Sequence, residues 1–230
     1  MDEIYLEMPF YGVVRMTVAL QSMGYPVHER RVRRLMRLMG LEALYPKPRT
    51  SIPDKSHTIY PYLLRGMSIE YPNQVWATDI TYIPMQKGFA YLMAIMDWYS
   101  RYILSWRVST SLDVSFCLYA LEEALTRYLA PEIFNMDQGS QFTSNSWVER
   151  LLKAGIRPSM DGRGRYLDNI FVERLWRTAK YENIYPMNYG SVPELKEGLK
   201  TYLNLYNNKR IHTSLANEYP ADVYFGRVKI

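Results

Sequence analysis

The sequence predicts an α/β domain, a mixed sheet covered by helices, preceded by a small all-α domain. Three observations predict it. Apolar residues recur at helical spacing up to about residue 45, and from residue 73 the pattern changes to β-rich runs. Beyond that point the elements read strand, strand, strand, helix, strand, helix. The 230 residues suffice for one substantial core and a small satellite domain.

The first domain, residues 1–45, reads as helices. Pro9 to Met23 carries a helical apolar pattern that stops at the breaker Gly24-Tyr25-Pro26. A second helix runs from Val27 to Met39 and is closed by Gly40. Val32, Leu35, Met36 and Met39 form its buried stripe, while Arg30, Arg31, Arg33, Arg34 and Arg37 occupy much of the rest. Helix, short turn and basic helix make a helix-turn-helix-like pattern, in which Arg30, Arg31 and Arg34 would meet DNA. A helical hairpin with a solvated arginine face is the plainer alternative.

Pro46, Pro48 and Pro53 mark a linker, residues 46–72, with room for a short element between Tyr60 and Ile69. Strands follow over Val75 to Met85, Ala90 to Trp98 and Tyr102 to Ser109, separated by turns at Gln86-Lys87-Gly88 and Ser100-Arg101. Leu112 to Tyr128 reads as a helix, Pro131 to Asp137 as a strand, and Ser144 to Ala154 as a helix. A short strand at Ile156-Arg157-Pro158 precedes a helical stretch from Asp168 to Glu182. Residues 73–182 then form the main domain and 183–230 a helical extension of it. This element order suits a ribonuclease H-like fold.

With 48% hydrophobic and 22% charged residues the chain reads as an ordinary globular protein. No apolar run reaches the roughly 18 residues of a membrane span, and the amino terminus lacks the pattern of a signal peptide. The expected location is cytoplasmic, with no membrane partner. One cysteine, Cys117, excludes an internal disulfide, and His28, His57 and His212 make no zinc spacing. A formal charge of +5 suits a polyanionic partner.

The chemistry is carried by Asp79, Asp137 and Glu173, with 57 and then 35 residues between them. Asp79 interrupts an apolar strand, and Asp137 ends one just before Gln138-Gly139-Ser140, where α/β sheets build sites. On the following helix Glu173 lies to the side of the apolar stripe Val172, Leu175, Trp176 and Ala179, with Asn169, Arg177 and Lys180 expected on its face. In-line phosphodiester cleavage builds charge on the attacking and leaving oxygens. Two magnesium ions about 3.5–4 Å apart stabilise both. Magnesium takes oxygen ligands, so three carboxylates suffice without histidine or cysteine, and manganese can substitute.

Each acid also has a structural alternative. Asp79 could pair with a cation, Asp137 could hold the turn before Gly139, and Glu173 could pair with Arg177. Asp97 competes as another strand-end acid, expected to pair with Arg101. Between the last strand and the Glu173 helix, the loop Asp161 to Tyr166 brings Arg163 and Arg165, both expected to contact DNA phosphates.

Several blocks at these residues resemble one family. They are Trp76-Ala77-Thr78-Asp79-Ile80-Thr81-Tyr82, Asp137-Gln138-Gly139-Ser140-Gln141-Phe142-Thr143 and Ser159-Met160-Asp161-Gly162-Arg163-Gly164-Arg165. Two more are Asp168-Asn169-Ile170-Phe171-Val172-Glu173-Arg174-Leu175-Trp176 and Tyr206-Asn207-Asn208-Lys209-Arg210-Ile211-His212, the latter followed by Leu215 and Pro220-Ala221. Together they are similar to the insertion-sequence transposases of the insertion-sequence-three family, catalytic OrfB portion, over nearly the whole chain. The resemblance implies a retroviral-integrase-like core whose metal-binding catalytic triad is Asp79, Asp137 and Glu173, with Lys180 on substrate DNA. It further implies cutting of the element's ends and their joining to a new site.

The chain departs from the family in two places. Met136 stands where members usually carry a small hydroxyl residue, and Val14 where a basic one is common. It also starts close to its first helix, which implies a shortened copy or a product that works with, or fused to, an upstream OrfA-type partner. Action as a homo-oligomer on DNA, at the bacterial nucleoid, is the accompanying expectation. The competing reading is a catalytically silent DNA-binding relic or inhibitor of the full transposase. A nuclease of the same fold acting on RNA–DNA hybrids is a third.

Overall fold

The computed structural model describes residues 1–44, 58–162 and 166–229, and the chain divides into two units, Met1–Pro53 and Asp54–Ile230. In the first unit the helical pattern yields α1 (Asp2–Glu7), α2 (Val13–Ser22) and α3 (Glu29–Leu38). Ile4, Met16, Leu20, Val32 and Met36 close its small core. Gly24, at φ +86°, makes the left-handed turn between α2 and α3, a conformation cheap only for glycine. The stripe expected on α3 is shorter than its pattern. Leu35 is half-buried and Met39 exposed, because the helix ends at Leu38 and its periodicity no longer aims the next side chain. Arg30, Arg31 and Arg34 are exposed.

The second unit is built on β1 (Val75–Pro84), β2 (Phe89–Asp97), β3 (Ile103–Ser109), β4 (Ile133–Met136) and β5 (Arg157–Met160). They form one sheet in the order β3-β2-β1-β4-β5. The first three strands are an antiparallel meander, whereas β4 and β5 run parallel to β1. Parallel neighbours need crossovers. These are supplied by α4 (Val114–Arg127), after β3, and α5 (Asn145–Lys153), between β4 and β5. Asp113 caps α4 by accepting from the Ser115 N–H at 3.0 Å.

Alternation along the strands divides the core in two. Trp76, Phe134, Met136 and Met160 face α4 and α5. Val75, Ala77 and Ile133 face the other layer, made by α6 (Ile170–Ala179) and α8 (Val192–Lys209). The stretch expected as one helix from Asp168 to Glu182 is composite. A 3₁₀ turn at Tyr166–Asn169 leads into α6, and a π-helical turn at Lys180–Ile184 leads out into α7 (Tyr185–Met187). The extension beyond residue 183 packs on the same face through Leu195, Leu199, Leu203 and Tyr206 and ends in α9 (Pro220–Tyr224). Asn207 ties it to β3 by accepting from the Ile103 N–H and donating to the Ile103 carbonyl, each at 2.9 Å.

Of the expected linker, residues 46–57 lie outside the described residues. Residues 58–72 pack on the sheet: Leu64 is buried in the core, and the Leu63 N–H donates to Ser159 Oγ at 3.0 Å. Their apolar side chains explain this, since Tyr62, Leu63, Leu64, Met67 and Ile69 would otherwise be left in water. Among the described residues no helix is long and apolar enough to cross a membrane.

Candidate active site

The register of the parallel strands brings the acids together. Ala77 of β1 pairs with Asn135 of β4, and Asn135 with Ser159 of β5. Two residues further on each strand stand Asp79, Asp137 and Asp161. Side chains repeat every second residue, so the three carboxylates lie abreast on the face covered by α6. Neighbouring strands are about 4.8 Å apart, close enough for like charges to raise one another's pKa values.

Each carboxylate has its own anchor. Asp79 Oδ2 accepts from the indole N–H of Trp176 on α6 at 2.9 Å. Asp137 Oδ1 accepts from the backbone N–H of Gly139 at 2.9 Å. A Cβ at position 139 would stand 2.8 Å from that oxygen, so any other residue there would push the Asp137 carboxylate aside. Asp161 Oδ1 accepts from Asn135 Nδ2 at 2.8 Å.

None of the three has an ion-pair partner among the described residues. Burial, reinforced by Asp137 and Glu173, pushes the Asp79 carboxyl up to about 7. Burial likewise raises Asp137, against the pull of the Gly139 N–H. Asp161 reaches about 7, through burial and then Asp168, Asp137 and Glu173. Three desolvated acids without a cation are a costly arrangement for a protein to keep.

Glu173 is exposed in the first turn of α6. Among the described residues no three His, Cys, Asp or Glu side chains converge closely enough to grip an ion. The structure thus brings Asp79 and Asp137 together and places Glu173 within electrostatic reach of Asp79. The donor chemistry fits hard divalent cations, being all oxygen. Asn169 Oδ1, buried with no hydrogen-bond partner among the described residues, adds an orphaned acceptor beside the group.

Asn169 itself corrects an expectation. It does not share an exposed face with Glu173, Arg177 and Lys180. It is the residue before α6, at φ −135°, where helical spacing has not begun. Its side chain is buried and donates to the Thr78 carbonyl at 3.0 Å, fastening the start of α6 to β1. Arg177 is exposed, Lys180 half-buried, and Arg163 and Arg165 lie outside the described residues.

Two residues of the site do not stand out in the sequence pattern. Asn135 is fully buried, and its Nδ2 donates to both Asp161 Oδ1 and the Asp168 carbonyl, at 2.8 and 3.1 Å. Its Oδ1 accepts from Ser159 Oγ at 2.9 Å. One amide thus joins β4, β5 and the segment leading into α6. Its signal is a lone amide inside the apolar run Ile133-Phe134-Asn135-Met136. The signal for Asp161 is the parallel between Asn135-Met136-Asp137 and Ser159-Met160-Asp161.

Three other expectations meet the structure here. Asp97 does not pair with Arg101; its carboxylate accepts from the N–H groups of Asn73 and Ser100 and from the Ser100 hydroxyl. Glu173 and Arg177 form no ion pair. Met136, the departure from the family pattern next to Asp137, is turned by alternation to the opposite core, where its sulfur accepts from the Trp147 indole at 3.0 Å.

Comparison with known proteins identifies the domains and the fold. Integrase core domain models match residues 70–165 and 154–220, and an HTH-like domain model matches residues 1–49. The chain is 33% identical over 215 residues to the transposase for insertion sequence element IS629 of Shigella sonnei, covering 92% of this chain and 73% of that one. It is 32% identical over 220 residues to the IS904 transposase of Lactococcus lactis, covering 92% and 86%. Among solved structures, the HTLV-2 integrase catalytic core domain in complex with magnesium superposes with a TM-score of 0.55 at 20% identity, over 67% of this chain and 97% of that one. A simian T-cell lymphotropic virus intasome gives a TM-score of 0.61 at 16% identity, over 90% and 69%. The fold of the second unit is therefore that of the ribonuclease H-like integrase core.

Proposed function

The chain belongs to the insertion-sequence transposases built on an integrase core domain, and we propose that Asp79, Asp137 and Glu173 hold two magnesium ions with which it cuts and joins DNA. The observation that carries this reading is the row of desolvated carboxylates in and just beyond three parallel strands, with no ion-pair partner among the described residues and with Glu173 on the helix that covers them. Bound there, the ions would stabilise the attacking and leaving oxygens and lower the pKa of the attacking water or DNA 3′ hydroxyl; manganese could replace them.

The remaining work falls to the chain. Gly139 and Trp176 aim the carboxylates of Asp137 and Asp79. Asn135 and Asn169 fix the start of α6 against the strand ends, which sets how far Glu173 stands from them. Asp79, raised to about 7, holds a proton for part of the time at neutral pH and releases it when the site is loaded. Arg177 and Lys180, one and two turns beyond Glu173, are suited to phosphates flanking the reacting bond.

Arg30, Arg31 and Arg34 of the first unit, with Arg163 and Arg165, complete the DNA contacts of the proposal. Residues 1–45 form its DNA-binding domain, 46–72 the connection, 73–182 the catalytic core and 183–230 its extension. An upstream OrfA-type partner or fusion and self-association on DNA belong to the same reading, with the cytoplasm and nucleoid as the place of action.

The test is magnesium- or manganese-dependent nicking and joining of DNA that carries the element's ends. Asp79→Asn removes a ligand charge and should abolish both activities while DNA binding persists. Abundant activity in that variant would overturn the assignment.

A further inference from the structure

A second feature lies on the other flank of α6. A cavity of about 500 Å³ opens between α6, the π-helical turn and the segment after α8, lined among others by Arg101, Arg174, Arg177, Tyr181 and Arg210. Among the described residues one acid, Glu182, belongs to it, and that carboxylate is occupied: it takes a two-pronged contact from Arg210 and a hydrogen bond from the Tyr202 hydroxyl at 2.9 Å. The π turn makes this possible, shifting Tyr181 and Glu182 out of the α-helical phase of the preceding residues.

Arg101 is the most unusual member. It sits at φ +63°, a left-handed backbone that a long side chain rarely adopts. Its guanidinium lies 3.2 Å from the centre of the Phe171 ring, and its Nε is buried with no hydrogen-bond partner among the described residues. Burial pulls its pKa down to about 10, so it stays charged at neutral pH. Among the described residues no carboxylate forms an ion pair with Arg101, Arg174 or Arg177. A strained, partly desolvated cation beside further unpaired cations is a site prepared for an anion.

The shape narrows the anion. A duplex, whose major groove alone is about 12 Å wide, cannot enter a cavity of this volume, whereas an unstacked nucleotide can. Tyr181, 69% exposed at the cavity, offers a ring on which a base can stack. Arg177 follows Glu173 by four residues, one helical turn, and lines the cavity as well.

We propose that this cavity binds an unpaired DNA strand next to the reacting bond, its phosphates on Arg101 and Arg174 and a base on Tyr181. The proposal rests on the DNA-cutting role argued above and names the form of DNA held beside it. It implies that the protein prefers ends whose strands are already separated.

The test is fluorescence anisotropy of the full chain in chelator, with a blunt duplex and with the same duplex carrying a five-nucleotide single-stranded tail. The tail should tighten binding about tenfold. Arg101→Met, which keeps the stem over Phe171, and the exposed-site variant Arg174→Gln should each cut that preference to under twofold, with melting temperatures showing that both are folded. Equal binding of blunt and tailed DNA by the unaltered chain, or a preference that survives in Arg174→Gln, would overturn the proposal. Stabilisation by inorganic pyrophosphate without a tail preference would also overturn it, assigning the cavity to free polyphosphate. Because the assay contains no metal, failure of the carboxylate site to cut DNA leaves its outcome unchanged.

Discussion

Replacing Gly139 with alanine isolates the aim of one carboxylate. The added Cβ would stand 2.8 Å from Asp137 Oδ1 and 3.4 Å from Oδ2. Restoring ordinary contact to Oδ1 requires a retreat of about 0.6 Å, from 2.8 toward 3.4 Å. The backbone at 139 is not in the left-handed region, so alanine brings no torsional strain. The carboxylate is the end of a short side chain and can rotate away, at the expense of its 2.9 Å bond from the Gly139 N–H. That bond is worth about 1 kcal/mol, so the fold should survive with a small fall in melting temperature. Metal-ligand distances, by contrast, tolerate only about 0.2 Å, and a misplacement of about 1 Å at a reacting centre can cost about 100-fold in rate. Gly139→Ala should therefore lose about 10- to 100-fold in magnesium-dependent strand cutting, with affinity for end DNA within about threefold of the original. Cutting at the original rate with the original magnesium dependence would refute the claim that Gly139 aims Asp137.

Three further outcomes are expected. Asp79 and Asp161 lie at about 7 in the folded protein against 3.8 as the ordinary carboxyl value, so the metal-free fold holds more protons than the unfolded chain between those limits. Its melting temperature in chelator should fall as pH rises from about 4 to 7, while stabilisation by magnesium grows over the same interval; a larger magnesium effect at pH 5 than at 7.5 would contradict this. Asn135→Leu strips Asp161, Ser159 and the Asp168 carbonyl of their shared partner and should cost about 2–4 kcal/mol in denaturant unfolding, where a loss below about 0.5 would show the amide to be dispensable. Replacing Arg30, Arg31 and Arg34 together by alanine should weaken DNA binding and lower the salt slope by about one for each phosphate no longer neutralised, whereas an unchanged slope would mark α3 as merely a solvated face.

The strands and the first two acids are legible in the sequence because both depend on local pattern. Asp79 stands out in an apolar run, and Asp137 stands out before a glycine turn. Alternation and helical periodicity also locate α3, α4 and α5 to within a few residues. Local pattern fails where position depends on distant parts of the chain. Asn169 shares the face of Glu173 only if one helix runs from Asp168, but tertiary anchoring to Thr78 leaves it in a non-helical cap. Asp161 and Asn135 gain their roles only once β4 and β5 lie side by side, and strand order is not written in any single segment. Asp97 and Arg101 are four residues apart, a spacing that suggests a pair. The tight turn between them instead sends the carboxylate to backbone N–H groups and the guanidinium to Phe171.

The proposed function stands on joint binding of divalent metal by Asp79, Asp137 and Glu173. Manganese titration followed by electron paramagnetic resonance, with end DNA present at pH 7.5, tests it most directly. The original chain should take up two ions, and Glu173→Gln should lose one or both while still binding the DNA. Equal manganese uptake by the two proteins would contradict the account.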